Sequence, residues 1–286
     1  MRGKKVLKEK NSTEYNRDDW YLMVKVYTIA SGKGGTGKTT VSINLGTALA
    51  KLGKETYLMD ADIGMANVGL ILGMQDVPVT LHEILAGKNK IDDGIYKGPE
   101  GLKVIPSGIS LQGFQQADPD KIRDVLSEIE KKCEFLIIDA PAGISKDGVV
   151  PLAVANEVIL VVNPELSSIV DALKTKILTD VVGGHVLGTI VNRVNQDKNE
   201  IISKKIEKVL GVKVIGIIPD DANVRRAAAA RMPIVVKYPD SPASKAIQKI
   251  ASDLAGVAYK EEEIKARREG FIERFSRVLF RKKSEK

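Results

Sequence analysis

Gly32 to Thr39 reads G-K-G-G-T-G-K-T and satisfies the spacing G-x-x-x-x-G-K-(S/T). Residues of these types at this spacing bind phosphate. Glycines let successive backbone N–H groups converge on the oxygens, and the lysine before the final Ser/Thr reaches the β and γ phosphates. Lys38 is therefore the expected phosphate contact and Thr39 an expected Mg²⁺ ligand, with Gly34, Gly35, Thr36, Gly37 and Thr40 completing the cradle. Lys33 is surplus to this chemistry, because a backbone cradle needs no side chain at its start. Phosphoryl transfer also needs a metal holder and a group that orients water. Candidate carboxylates end two apolar runs, Asp60 and Asp62 in "MDADIGMAN" and Asp139 in "FLIIDAPAG".

These residues have to be positioned by regular elements, and the chain supplies them. From Val24 to Pro219, short β-branched apolar runs alternate with longer segments of helical period, the pattern of βαβ units. Strands are expected at 24–31, 55–60, 102–107, 134–139, 157–163, 186–192 and 212–219. Helices are expected at Thr39–Leu52, Asp120–Lys132, Pro164–Thr179 and Asn199–Leu210. The strand runs are apolar at consecutive positions, as in strands covered on both faces. The expected fold class is α/β, a three-layer doubly wound and mostly parallel sheet, in which strand ends carry the site. A chain of 286 residues suits one large domain of this kind. Residues 1–22 are polar and charged, and are expected to be a disordered extension unless the true start is Met23. The domain is expected over 23–258, with a hinge and a helix over 259–286.

The segment K-G-G-T-G-K-T-T resembles the deviant Walker A loop of the MinD/ParA family of P-loop ATPases, and the likeness runs from about Met23 to Gly256. The resemblance implies ATP and Mg²⁺ as cofactors and an ATP-dependent homodimer. It implies that Lys33 reaches across the dimer to the partner's phosphates, so that hydrolysis requires dimerisation, in the manner of an arginine finger supplied in trans. It also implies that Asp139 holds Mg²⁺ through water, that Asp60 supports the metal shell, and that Asp62 orients the attacking water beside Asn67. "VNRV" and "IIPDDANVRRA" are similar to the family's base-contacting segments, which implicates Asn192, Arg193, Pro219 and Asp220. "VVNPELSS" is similar to a loop near the dimer and partner surface, and makes Glu165 an interface candidate. A separate regulatory protein that stimulates hydrolysis is expected, and nothing in the sequence identifies it.

Lys and Arg number 44 against 37 Asp and Glu, a net charge of +7. Most of the excess is local, since Ile264 to Lys286 carries nine Lys or Arg against three Glu. A helix there would be about 30 Å long. Phe271, Ile272, Phe275 and Leu279 would gather on one side, with Arg274 and Arg277 among the basic residues on the rest. That pattern reads as an interfacial binder of anionic membrane surfaces, and is similar in character to the membrane-targeting tails of this family. Two such tails on one dimer would multiply avidity by about 10² or more, making membrane binding ATP-dependent and reversed by hydrolysis. The function expected is a peripheral membrane ATPase, at the cytoplasmic face, that positions the division site or another structure. Rival readings are a nucleic-acid-binding partition ATPase and a regulator of flagella or other polar machinery. The single cysteine, Cys133, excludes a Cys-rich metal or iron–sulfur centre built by one chain. His82 and His185 lack companions at metal spacing and read as structural. No run of about 18 apolar residues is present.

Overall fold

The computed structural model describes residues 24–259 apart from 109, 119–120, 144–145 and 196–198. The expected extension over 1–22 lies outside the described residues. So do Phe271, Ile272, Arg274, Phe275, Arg277 and Leu279 of the expected C-terminal helix.

Strand β1 (Lys25–Ala30) runs through the glycine loop into α1 (Lys38–Lys51), and β2 (Thr56–Asp60) follows. Next come the short helices α2 (Val68–Leu72) and α3 (Leu81–Leu85), then β3 (Tyr96–Lys97), β4 (Lys103–Ile105), α4 (Leu111–Gln116), α5 (Ile122–Ile129) and β5 (Phe135–Asp139). The second half alternates through α6 (Lys146–Val154), β6 (Glu157–Val162), α7 (Leu166–Val181), β7 (Val186–Val194), α8 (Asn199–Leu210) and β8 (Val214–Pro219). It ends on α9 (Ala222–Ala229), α10 (Ile234–Lys237) and α11 (Pro242–Ala255). The eight strands form one sheet in the order β3-β4-β2-β5-β1-β6-β7-β8. All pairs are parallel except β3 with β4.

Side chains of a strand alternate between faces, and both faces here are covered. Tyr27, Ile29 and Ile137 pack with Ile43, Leu45 and Leu49 of α1 and Ile247 of α11. Val26, Leu136 and Ile138 pack on the other face with Leu81 and Leu85 of α3 and Leu126 and Ile129 of α5. Val162 and Val191 meet Ala172 of α7 and Ile206 and Leu210 of α8. Each fully buried Leu or Ile contributes about 1.5–3 kcal/mol through removal from water, so the consecutive apolar runs are what holds three layers together.

All seven expected strands form. The added strand, β3, has two residues, too few to show a period; it lies at the sheet edge, where the Tyr96 hydroxyl donates to Val79 O at 2.8 Å. Helix α7 starts two residues later than expected because Glu165 is in an extended conformation and serves as its N-cap residue. Helix α5 is shorter than the expected 120–132, whereas α8 has the expected limits.

Candidate functional site

The site lies at the C-terminal ends of β1, β2, β5, β7 and β8, where the crossovers diverge to either side. The loop from Ser31 to Gly37 is shaped by what its glycines avoid. A Cβ on Gly32 would lie 2.1 Å from the backbone carbon of Asp171, so the loop can lean on α7 only with no side chain there. Gly37, the N-cap of α1, has φ 92°, and a Cβ would sit 2.3 Å from Asn192 Nδ2. That same amide donates to Thr36 O at 2.8 Å, so β7 clamps the loop from the side. At Gly34 and Gly35 a Cβ would meet nothing within 4 Å, and the loop is open there. No acidic residue occupies the first turn of α1, which leaves its positive end available to an anion.

The two loop lysines meet different partners, one buried and one exposed. Lys38 is buried, and its Nζ lies 3.0 Å from Asp139 Oδ1 at the end of β5. Ser42 Oγ donates to the same oxygen at 2.8 Å. Lys33 is about one-third exposed and faces the start of α7, where Nζ meets Glu165 Oε2 and Ser167 Oγ, both at 3.0 Å. An exposed pair of this kind is worth about 0–1 kcal/mol, so Lys33 is held lightly and can be redirected at little cost.

Asp60 and Asp139 are register partners on adjacent strands and are both fully buried. Asp60 accepts backbone N–H groups from Asp62 (3.1 Å), Asn67 (3.1 Å) and Val68 (3.0 Å). Burial, reinforced by the neighbouring Asp139 charge, pushes its carboxyl up to about 8; the Val68 and Asp62 N–H groups and Lys38 oppose that shift without cancelling it. Asp62 is half-buried, and its Oδ1 accepts Met65 N at 2.9 Å. Asp139 Oδ2 is buried with no hydrogen-bond partner among the described residues. A metal-bound water would satisfy that oxygen, and Thr39 stands one residue beyond Lys38. The donor set, one hydroxyl and carboxylates without His or Cys, suits a hard cation that keeps waters and phosphate oxygens as ligands. The residues present therefore fit Mg²⁺ beside a phosphate cradle.

The residues proposed for the base also come together. Asn192, Arg193, Pro219 and Asp220 line a cavity of about 250 Å³ that is closed by Gly37 and Thr40 of the phosphate loop and first turn. Arg193 takes a left-handed conformation, φ 58°, at the end of β7. Val224 and Arg225 of α9 and Ile247 of α11 also line this cavity. They escaped the reading of the sequence, which took only Pro219 and Asp220 from "IIPDDANVRRA". Asp221 proves to be a cap, its Oδ1 accepting Asn223 N at 2.9 Å. His185 is exposed on the surface, 3.9 Å from Glu157. No group of three or more His, Cys, Asp or Glu among the described residues could hold a metal alone. No helix among them is long and apolar enough to cross a membrane.

The profile of the CobQ/CobB/MinD/ParA nucleotide binding domain matches residues 27–234. The chain is 51% identical over 259 residues to an uncharacterized ATP-binding protein of Methanocaldococcus jannaschii, covering 91% of this chain and 98% of that one. It is 33% identical over 239 residues to the antiactivator FleN of Pseudomonas aeruginosa, covering 80% of this chain and 85% of that one. The septum site-determining protein MinD of Pyrococcus horikoshii, solved with Mg-ADP, superposes with a TM-score of 0.77 at 35% identity, covering 81% of this chain and 96% of that one.

Proposed function

The chain belongs to the CobQ/CobB/MinD/ParA nucleotide-binding family, and on that premise we propose that it is a MinD-type ATPase that dimerises on ATP and associates peripherally with anionic membrane. ATP and Mg²⁺ are its cofactors. The observation that carries the dimer is the different setting of the two lysines, Lys38 buried on Asp139 and Lys33 partly exposed on Glu165. A cation needed by its own phosphates would be buried as Lys38 is. Lys33 instead stands on the exposed rim with Glu165, where a second copy can reach it.

When bound, ATP supplies the transferable phosphoryl group and Mg²⁺ neutralises charge as it leaves. The loop N–H groups and Lys38 bind and orient the phosphates, Thr39 and Asp139 hold the ion, and Asp60 backs the shell. Asp62 orients water, and Lys33 enters the partner's site. Asn192, Arg193, Pro219 and Asp220 hold the base. Residues 260–286 then tie the nucleotide state to the membrane, since two tails bind far better than one. The cycle positions the division site or another cellular structure, with a regulatory protein setting its rate. A second reading, regulation of polar machinery by the same cycle, is favoured by the similarity to an antiactivator.

The test is cosedimentation with anionic vesicles, comparing ATP with ADP, for the full chain and for a truncation after Gly256. ATP-dependent binding that is lost on truncation is the expected result. Binding indifferent to nucleotide refutes the coupling. DNA binding by the truncated protein, without vesicle binding by the full chain, would instead establish the partition reading.

A further inference from the structure

His82, the second residue of α3, is 1% exposed and belongs to no group of three or more His, Cys, Asp or Glu that could hold a metal among the described residues. Its Nε2 is 2.8 Å from the carbonyl oxygen of Ile63. A carbonyl only accepts, so Nε2 carries the hydrogen; Nδ1 is buried and has no partner among the described residues. The ring sits in a slot made for it. A Cβ on Gly108 would approach Nδ1 to 2.6 Å and one on Gly113 to 3.0 Å. Helix α3 is itself fixed at its start by the Thr80–Glu83 capping box and by Leu81 N donating to Pro106 O at 2.9 Å. Among the described residues the imidazole, closely packed, makes one side-chain hydrogen bond.

That contact falls on the residue after Asp62. On the near side, the Asp62 N–H is tied to Asp60, and Ala61 N donates to Asp139 O at 2.9 Å. On the far side, Asp60 and Asp62 bond to N–H groups within the same turn, at Met65, Asn67 and Val68. His82 reaches this turn from a different element and fixes the carbonyl of Ile63, one peptide unit beyond the one that leaves Asp62. We infer that His82 is a positioning residue for hydrolysis, its Nε2–H holding the Ile63 carbonyl and so setting the backbone from which Asp62 projects.

The inference rests on the reading of Asp62 as the water-orienting group. Misplacing such a group by about 1 Å can cost about 10²-fold in rate, whereas the phosphate cradle, on the far side of Asp60, is untouched. The full-length chain is assayed for ATP turnover with Mg²⁺ and anionic vesicles, alongside fluorescent-nucleotide affinity and thermal stability. His82→Phe keeps the ring and removes the donor, His82→Gln returns an N–H near Nε2, and His82→Asn has an amide too short to reach. Expected is a kcat lowered by about 10- to 100-fold in His82→Phe, with KM and nucleotide affinity within about twofold of wild type. His82→Gln is expected to recover most of the rate and His82→Asn little of it. Should His82→Phe fail to fold, the Gln and Asn variants decide the matter, and equal rates in the two overturn the inference. Wild-type turnover in His82→Phe while Asp62→Ala is inactive also overturns it and leaves the role of Asp62 standing. Full activity in Asp62→Ala removes that role and the inference with it.

Discussion

Asp60→Asn should make the nucleotide-free protein more stable at alkaline pH while abolishing its Mg²⁺ chemistry. The Asp60 carboxyl is raised from 3.8 to about 8 in the fold, first by burial and then by Asp139. A carboxyl whose folded value exceeds its unfolded one contributes stability in full below about 4. That contribution is lost as pH rises towards 8, because the unfolded chain ionises while the folded chain keeps the proton. At about 1.36 kcal/mol per unit the loss is on the order of 5 kcal/mol by pH 8 and on the order of 2 kcal/mol at pH 5. Asparagine escapes it, at a cost of about 2 kcal/mol for turning one amide NH₂ towards the backbone donors that now face carboxylate oxygens. The two proteins should therefore be about equally stable near pH 5, with Asn ahead by about 3 kcal/mol at pH 8. In a domain of this size that is roughly 6–12 °C in melting temperature. The assay is urea denaturation of both proteins at unit steps from pH 5 to 9, with and without Mg²⁺ and ADP. The advantage of Asn should shrink when the nucleotide is present, since the ion compensates the carboxylate charge. A stability difference that stays constant from pH 5 to 8 would refute the account of Asp60 as a buried, proton-holding group.

Four further outcomes follow from the geometry. Lys33→Ala should leave monomer nucleotide affinity within about twofold and remove dimer-dependent turnover; Glu165→Gln, which breaks an exposed pair, should shift unfolding free energy by less than about 1 kcal/mol. A fast basal rate in dilute monomer that Lys33→Ala does not alter would contradict the trans role of that lysine. Asn192→Ala removes the bond to Thr36 O and should weaken nucleotide binding about tenfold, roughly 1.4 kcal/mol, as read by equilibrium titration; unchanged affinity would mean that the clamp on the loop is dispensable. Gly32→Ala sets a methyl group 2.1 Å from the α7 backbone and should lower stability by about 1–3 kcal/mol in thermal denaturation. A neutral result would show that α7 moves freely against the loop.

The fold was legible where the sequence carried long, unambiguous periods. Consecutive apolar runs at 134–139 and 157–163 can be buried only between two layers, and they became β5 and β6. The two-residue β3, the five-residue α2 and α3 and the four-residue α10 were not legible, because so few residues complete no period and their formation depends on neighbours. The phosphate loop was readable for a related reason: its function lies in backbone conformation, and glycine is the residue that permits it. The cavity proposed for the base was readable in part, through the strand ends that contribute Asn192 and Pro219.

By itself the sequence determined the alternation of strands and helices, the glycine-rich turn between β1 and α1 and the carboxylates at strand ends, since each is written in residues close in the chain. Only the tertiary structure decided which oxygen of Asp139 Lys38 takes, that Lys33 rests on Glu165 and Ser167, and that Asn192 props the loop at Thr36. It also decided that His82, a residue with no motif around it, bears on the carbonyl after Asp62. These contacts join residues 19 to 156 positions apart. No local pattern encodes them, because sheet order and helix packing, summed over the whole core, set which strand ends meet.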